Sequence, residues 1–417
     1  MRNDAPPRIA APALGEAPPT AGLPPRWRDL LWPGRGPTFE AAICKRFGFD
    51  DIEIVSTATA GLLIAFTYLK EQSLARDVVI VPGYTCPLVV LAVAAAGLKA
   101  VACDTLPGRF DLDPTHLARL VDERTLAIVP THYGGVLTDV EAVRRAAPGV
   151  PVVEDAAQAF GATSHGRNVG LTGDIGVFSF TAGKGLTIYL GGALVARDAA
   201  TMAGLKRTAA RLTRSAPLGE FGRLLMLAGY HAAYNPWGLR LFYGAGKRRA
   251  CVRGDDIAAA GDRFSPDIEV TRVSAWRKRV GRAALPRLDA HLEGCRARFD
   301  KLAARLECIP GFVVHTPPPH ARPSATSLFL TLQPHREREA FIQALWRSRL
   351  GVSRMFARAI GDYPDIAPLL QPSETPNARA LAAHTITLTT SELSSAAAED
   401  AIVATLEGFA RSAGWNA

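Results

Sequence analysis

The chain has 417 residues, which at about 150 per domain corresponds to two or three domains. Hydrophobic residues make up 48% and charged residues 21%, which excludes a disordered, fibrous or coiled-coil chain and supplies a sizeable core. No run approaches the roughly 18 apolar residues of a spanning helix, and residues 1–25 carry no apolar centre of a secretory signal.

Residues 1–37 read as an extended arm, because Pro6, Pro7, Pro12, Pro18, Pro19, Pro24 and Pro25 remove helical options. A helical pattern starts at Thr38 and gives way to a regular alternation. Short β-rich runs occur at Val78–Val81, Lys99–Cys103, Leu126–Pro130, Val152–Val153, Ile175–Phe180 and Leu190–Ala196. Helical stretches separate several of them. Pro87 to Ala96 is one, with Pro87 suited to a first turn and Gly97 to the position past the end. Strands alternating with helices predict a largely parallel sheet covered on both faces. The run Val78-Val79-Ile80-Val81 fits a strand buried on both sides.

The alternation stops near Asp198, so 38–198 is expected to be one large α/β domain. A basic segment rich in Leu, Tyr and Trp follows at 199–264 and reads as an insertion. Beyond it, 265–417 predicts a smaller α+β domain. Its elements are a long helix over Val273–Leu306 entered or interrupted at Pro286, a loop over Thr316–Pro323, a strand at Ser327–Leu332, a helix at Arg336–Arg349, a strand at Thr385–Leu388 and a last helix at Ala396–Ala410.

The cysteines, at 44, 86, 103, 251, 295 and 308, are scattered without a C-x-x-C, so reduced thiols and a cytoplasmic protein are the expectation. His315, His320 and His335 lack ligand spacing, which argues against zinc. The net charge is +9, and residues 201–253 hold ten Lys or Arg against the single acid Glu220, a surplus equal to that of the whole chain. Charge concentrated in this way points to an anionic ligand or surface, a membrane face included, and not to nucleic acid.

The densest chemical signal is Val153-Glu154-Asp155-Ala156-Ala157-Gln158-Ala159-Phe160-Gly161, followed by Gly173 to Lys184. A carboxylate stands just past a strand end, where ligands of α/β proteins bind. About thirty residues on, Lys184 follows another apolar strand among small residues. A lysine in a water-poor pocket loses its ammonium preference and becomes a nucleophile towards an aldehyde. An acid could hold a pyridine nitrogen protonated and make that ring an electron sink. The same spacing also suits a capping Asp and a Lys paired at a loop.

These runs, with Gly191-Gly192-Ala193-Leu194-Val195 downstream, closely resemble the DegT/DnrJ/EryC1/StrS family of pyridoxal-phosphate (PLP) aminotransferases acting on sugar nucleotides. Val55 to Leu62 resembles the family's phosphate-loop segment. Val81-Pro82-Gly83-Tyr84-Thr85 resembles its ring-stacking segment. Thr131-His132-Tyr133-Gly134-Gly135, Thr375-Pro376-Asn377 and Thr385-Ile386-Thr387-Leu388 follow in register. The resemblance implies the type I PLP-transferase fold, with a mixed, mostly parallel sheet, and a homodimer with sites at the subunit interface. It implies transfer of an amino group, with glutamate as donor, to a keto-sugar nucleotide in polysaccharide or glycoconjugate synthesis.

Residue by residue, it implies that Lys184 links to the cofactor's aldehyde and shuttles the proton, and that Asp155 pairs with the pyridinium nitrogen. Gln158 would lie near the ring oxygen and Tyr84 would stack on the ring. Ala58, Thr59 and Ser179 would receive the phosphate. The lesser alternatives are a core aromatic for Tyr84 and a capping hydroxyl for Thr59, while Ser179 on pattern alone is the polar face of a strand. His132 reads as a satisfied buried histidine, and Cys86 as an inert thiol.

Three departures bear on function. Ala58-Thr59 stands where the family has Gly-Thr. Val270 stands where a neighbouring subunit's Asn reaches the phosphate. Leu190 replaces the Glu before the paired glycines. The presence of Lys184 disfavours the dehydratase branch, in which a His replaces it. Two other readings remain: a PLP enzyme on a different carbonyl or lipid-linked substrate, and a non-catalytic PLP-binding regulator.

Overall fold

The computed structural model describes Ile9 and residues 15–415. Its large domain is built on strands that the sequence alternation anticipates. Val78–Pro82 lies between Lys99–Cys103 and Thr125–Ile128, parallel to both. Val153–Asp155 and Ile175–Ser179 are also parallel. Single bridges, Ile128 to Val152 and Thr131 to Asp155, join the two sets into one sheet. Gly192–Ala196 runs antiparallel to Ile175–Ser179, and Glu53–Val55 pairs antiparallel with it at the edge. The sheet is therefore mixed and mostly parallel, as expected for type I.

Each face of this sheet is covered. Val79 and Val81 turn to one side, against Ile64, Phe66 and Leu205 of the helices Ala58–Gln72 and Ala199–Leu212. Val78 and Ile80 turn to the other, against Leu117 and Val143. That alternation is the pleat expressed in a strand buried throughout. Helix starts follow local chemistry. Thr38 Oγ1 accepts from Ala41 N at the head of Phe39–Phe47, and Thr57 Oγ1 accepts from Ala60 N at the head of Ala58–Gln72. Pro87 opens Pro87–Ala95, and Gly97 follows it at φ +68°.

The strand Glu53–Val55 is absent from the sequence reading. At three residues it is too short to show a period. The long helix resolves into Ala275–Ala284, a 3-10 turn Leu285–Arg287 at Pro286, and Leu288–Leu306. The loop expected at 316–323 contains the two-residue strand Ala321–Arg322, paired with Thr163–Ser164. In the C-terminal domain, Phe312–His315, Ser327–Leu332, Thr385–Thr389 and Val352–Ser353 form an antiparallel sheet. Helices Leu288–Leu306, Arg338–Arg347 and Ala396–Ser412 bury Phe299, Phe341 and Phe409 against it.

The described part of the arm is docked on the protein. Ala17, Ala21 and Leu23 are buried. Ala21 N donates to Thr326 O at 2.8 Å and Leu23 N to Gly185 O at 2.9 Å, and a short helix Trp27–Leu31 follows. The expectation of an extended arm is thus corrected at Trp27–Leu31, a stretch beyond Pro25 that contains no proline, and the prolines before it did not prevent burial. The basic segment is helical: Pro217–Ala233, a π-helical stretch Leu239–Gly244 and Ala245–Val252.

Candidate active site

The sheet delivers two side chains of opposite charge to one place. Asp155 ends the strand Val153–Asp155 and is 4% exposed. Its backbone is held by Pro130 O and His132 N, each at 2.9 Å. One carboxylate oxygen, Oδ1, accepts from Ala157 N at 3.2 Å. Oδ2 has no hydrogen-bond partner among the described residues and is not sealed in the protein, so an acceptor is left open for a further donor. Lys184 sits in the loop after Ile175–Ser179. Its Nζ likewise has no partner among the described residues.

Burial drives the Lys184 amine below its ordinary value, opposed by the nearby Cys86 and Asp155. Burial likewise holds the Asp155 carboxyl above its ordinary value, against the Ala157 N–H and the charges of Lys184 and His132. A lysine so shifted presents free amine at a pH where exposed lysines are still ammonium. In protein stripped of cofactor, labelling of Lys184 by trinitrobenzenesulfonate should therefore rise with pH at a lower midpoint than that of exposed Lys45. Equal midpoints, read by peptide mass spectrometry, would refute the shift.

The support beneath Asp155 is a buried pair. His132 is 2% and Glu154 1% exposed. His132 Nδ1 accepts from Thr138 N at 3.2 Å, so Nε2 carries the proton and donates to Glu154 Oε2 at 3.0 Å. Glu154 Oε2 also accepts from Gly170 N at 2.8 Å, and Oε1 from Gly173 N at 2.5 Å. His132 is thus the satisfied core histidine expected from sequence.

The helix Ala58–Gln72 points its N-terminus towards the same region. Thr57 caps it, and the backbone N–H groups of Ala58 and Thr59 have no acceptor among the described residues. Two free N–H groups at a helix start form an anion site. A side chain at Gly192 would place its Cβ 2.6 Å from Ala58 N, so the strand can run beneath this helix start only with glycine. Ser179 is 4% exposed; its Oγ donates to Thr181 Oγ1 at 3.0 Å and accepts from Thr181 N at 3.3 Å. Gln158 is half-buried, and its backbone carbonyl accepts from Ser324 Oγ at 2.7 Å.

Tyr84 is a correction. A residue that stacks on a bound ring exposes a face when that ring is absent, and Tyr84 exposes none. Its ring is packed against Tyr133, Phe110 and Phe356, and its Oη accepts from Phe356 N at 3.4 Å. It is a core aromatic behind the site. Cys86, two residues on, is part-exposed and lies within the electrostatic reach of Asp155 and Lys184. Burial pushes its thiol up to about 12, so it is not a thiolate at neutral pH.

Two features of the lysine loop escaped the sequence reading. Tyr189 adopts a left-handed φ of +75°, held by Thr187 Oγ1, which accepts from its N–H at 2.9 Å. Arg277, fully buried, donates from Nε and Nη2 to the Glu220 carboxylate at 2.6 and 2.8 Å, and from Nη1 to the carbonyls of Ile188 and Leu190. No local pattern announces a pair separated by 57 residues.

The chain matches the DegT/DnrJ/EryC1/StrS aminotransferase family over residues 35–213 and 269–407. It belongs to that family. The chain is 37% identical over 210 residues to L-glutamine:scyllo-inosose aminotransferase of Streptomyces griseus, a match covering 47% of this chain and 49% of that one. It thus spans about half the length of that curated relative. Its fold is shared with DesI solved in the presence of its TDP-sugar product (TM-score 0.71, 20% identity, 97% and 95% of the two chains). It is shared too with the PLP-form of Spr1654 from Streptococcus pneumoniae (TM-score 0.71, 16% identity, 95% and 99%). The fold is type I, and the chemistry of the family is transamination with pyridoxal phosphate. The residues present fit that cofactor: a free amine, a buried acid with an open oxygen, and free N–H donors at a helix start.

The family match leaves out residues 214–268, most of the basic segment. Four of the cations at 201–253 are tied to acids: Lys206 to Asp51, Arg211 to Glu71, Arg223 to Glu269 and Arg248 to Glu16. Arg207, Arg214, Arg240, Lys247, Arg249 and Arg253 form no ion pair among the described residues. Leu218, Phe221 and Leu225 share one helix face and are 88%, 61% and 59% exposed. No helix among the described residues is long and apolar enough to cross a membrane.

Proposed function

We propose that this aminotransferase moves an amino group from glutamate to the keto group of a sugar carried on a phosphate, with a nucleotide-linked keto sugar as the first acceptor to test. The observation that carries the reading is that an unbonded Lys184 amine and the open oxygen of Asp155 lie within electrostatic reach of each other at the sheet's end. Pyridoxal phosphate supplies an aldehyde that takes the amino group and a ring that accepts the electron pair released when a C–H bond breaks. Lys184 Nζ moves the proton at the substrate Cα, acting as base and then acid. Asp155 Oδ2 holds the ring nitrogen protonated. Ala58 N, Thr59 N and the Thr59 and Ser179 hydroxyls bind the phosphate. Gln158 would contact the ring oxygen of the bound cofactor.

A homodimer and attachment of residues 201–253 to an anionic membrane face belong to the same proposal. The unpaired cations and the apolar face Leu218, Phe221, Leu225 support the attachment. Sedimentation with phosphatidylserine vesicles at low salt tests it; protein that stays in solution removes it.

The chemistry is tested in two halves. Glutamate should bleach the yellow loaded enzyme, and a keto-sugar nucleotide should restore the colour. Glutamine, named for the Streptomyces griseus relative, is the competing donor. An enzyme that neither donor bleaches would return the non-catalytic regulator as the better reading.

A further inference from the structure

A cavity of about 660 Å³ borders the lysine loop, a volume usual for a small-molecule site. Gly183 and Tyr189 form its wall on that side. Met226, Tyr230, Tyr234 and Phe242, from the segment outside the family match, form the rest with the arm residues Pro18 to Thr20. The arm ties the parts together. Thr20 Oγ1 donates to Gly183 O at 2.7 Å, and Gly22 N donates to Tyr234 Oη at 3.0 Å. Gly183, at φ +81° and without a side chain, lines this cavity and directly precedes Lys184 in the chain.

The lining is almost wholly apolar. The Tyr230 ring contributes to that lining, while its hydroxyl is buried in the wall beside Gly183 and Tyr234. Beyond Tyr243 the character changes. Lys247 Nζ lies 4.4 Å from the Tyr243 ring centroid, and a narrow cleft that shares Pro19 and Tyr243 with the cavity is lined by Lys247, Arg248 and Arg349 against the single acid Glu16. An apolar chamber with a cationic cleft at its edge is complementary to an apolar chain ending in an anion. It offers a nucleobase few edge partners.

We propose that the cavity bounded by Gly183, Tyr189, Tyr230 and Phe242 is the subsite for the apolar chain of a lipid phosphate that carries the acceptor carbonyl. This rests on the transaminase reading and specifies its acceptor. Lys247 and Arg349 of the cleft, which have no acid partner among the described residues, would meet the phosphate.

Gly229 gives the test. It lines the cavity, and a Cβ built there meets nothing within 4 Å. Gly229→Leu therefore adds a side chain at the chamber's wall whose Cβ meets no clash, and improves the propensity of its helix. Binding is measured by calorimetry on the full-length, PLP-loaded protein with geranyl diphosphate, inorganic pyrophosphate and thymidine diphosphate. Geranyl diphosphate should bind at least tenfold more tightly than pyrophosphate. Gly229→Leu should weaken it at least tenfold with no fall in melting temperature. Phe242→Ser, at a residue 80% exposed, should weaken it less.

Equal affinity for pyrophosphate and geranyl diphosphate would overturn the proposal, since the anion alone would then be recognised. Tighter thymidine diphosphate binding that Gly229→Leu removes would overturn it in favour of a nucleobase site. A change in sedimentation mass in place of a change in affinity would overturn it in favour of a second copy of the chain. None of these readings requires turnover, so their failure leaves the bleaching test of the transaminase intact.

Discussion

Lys184→Ala should lower both half-reactions at least about 10³-fold and leave the fold unchanged. General acid–base transfer by a positioned group contributes about 10² to 10⁴, and the covalent role of the same amine adds to it. Folding should be spared because Nζ makes no hydrogen bond among the described residues, and burial of a charged amine opposes folding. Borohydride reduction of loaded wild-type enzyme should fix the cofactor on the peptide bearing residue 184 and on no other lysine. Asp155→Ala should lower the donor half-reaction by about 10² to 10³, the usual effect of removing one preorganised electrostatic group. Bleaching by glutamate at an undiminished rate in Lys184→Ala would sink the proposed mechanism.

The reach of the sequence follows from what each part of the site depends on. Asp155 and Lys184 can be singled out in the sequence because one ends an apolar strand and the other lies in the loop that follows one, and strand ends are fixed by local pattern. The helix start at Ala58 is legible because Thr57 to Ala60 carry a local capping pattern, and a helix start exposes N–H groups whatever surrounds it. The assignment of Tyr84 failed because it lies between the strand ending at Pro82 and the helix starting at Pro87. No period governs that stretch, so the sequence could not say which of Tyr84 and Cys86 faces the site. Tyr84 was claimed by Phe110, Tyr133 and Phe356, and Phe356 is distant in the chain. The basic segment showed its charge but not its shape. Leu224, Leu225 and Leu227 stand close together on one turn, and only the packed structure shows that Leu227 is buried while Leu225 is exposed.

Breaking the pair between Glu220 and Arg277 should be the most damaging change remote from the chemistry. Arg277 is completely buried, and Glu220 meets it with both oxygens while Oε1 also accepts from Ser274 N at 2.8 Å. Glu220→Ala would strand a guanidinium away from water, at a cost of about 3–5 kcal/mol. Arg277→Met should cost a similar amount, because it leaves Glu220 and the carbonyls of Ile188 and Leu190 without their donor. The double variant should lose less than the two singles combined, since the groups act as a unit. It should still impair catalysis, because the carbonyls that Arg277 holds belong to the loop carrying Lys184 and Tyr189. The pH dependence has a definite sign. Burial would raise the Glu220 carboxyl, but the hydrogen bonds from Arg277 and Ser274 outweigh it and leave the group below its ordinary value. Its stabilisation is present above the ordinary glutamate range and is lost as pH falls through the lower folded value. Urea unfolding of the three variants at neutral and acidic pH measures all of this. Single-variant losses under about 1 kcal/mol would show that the pair does not hold the loop.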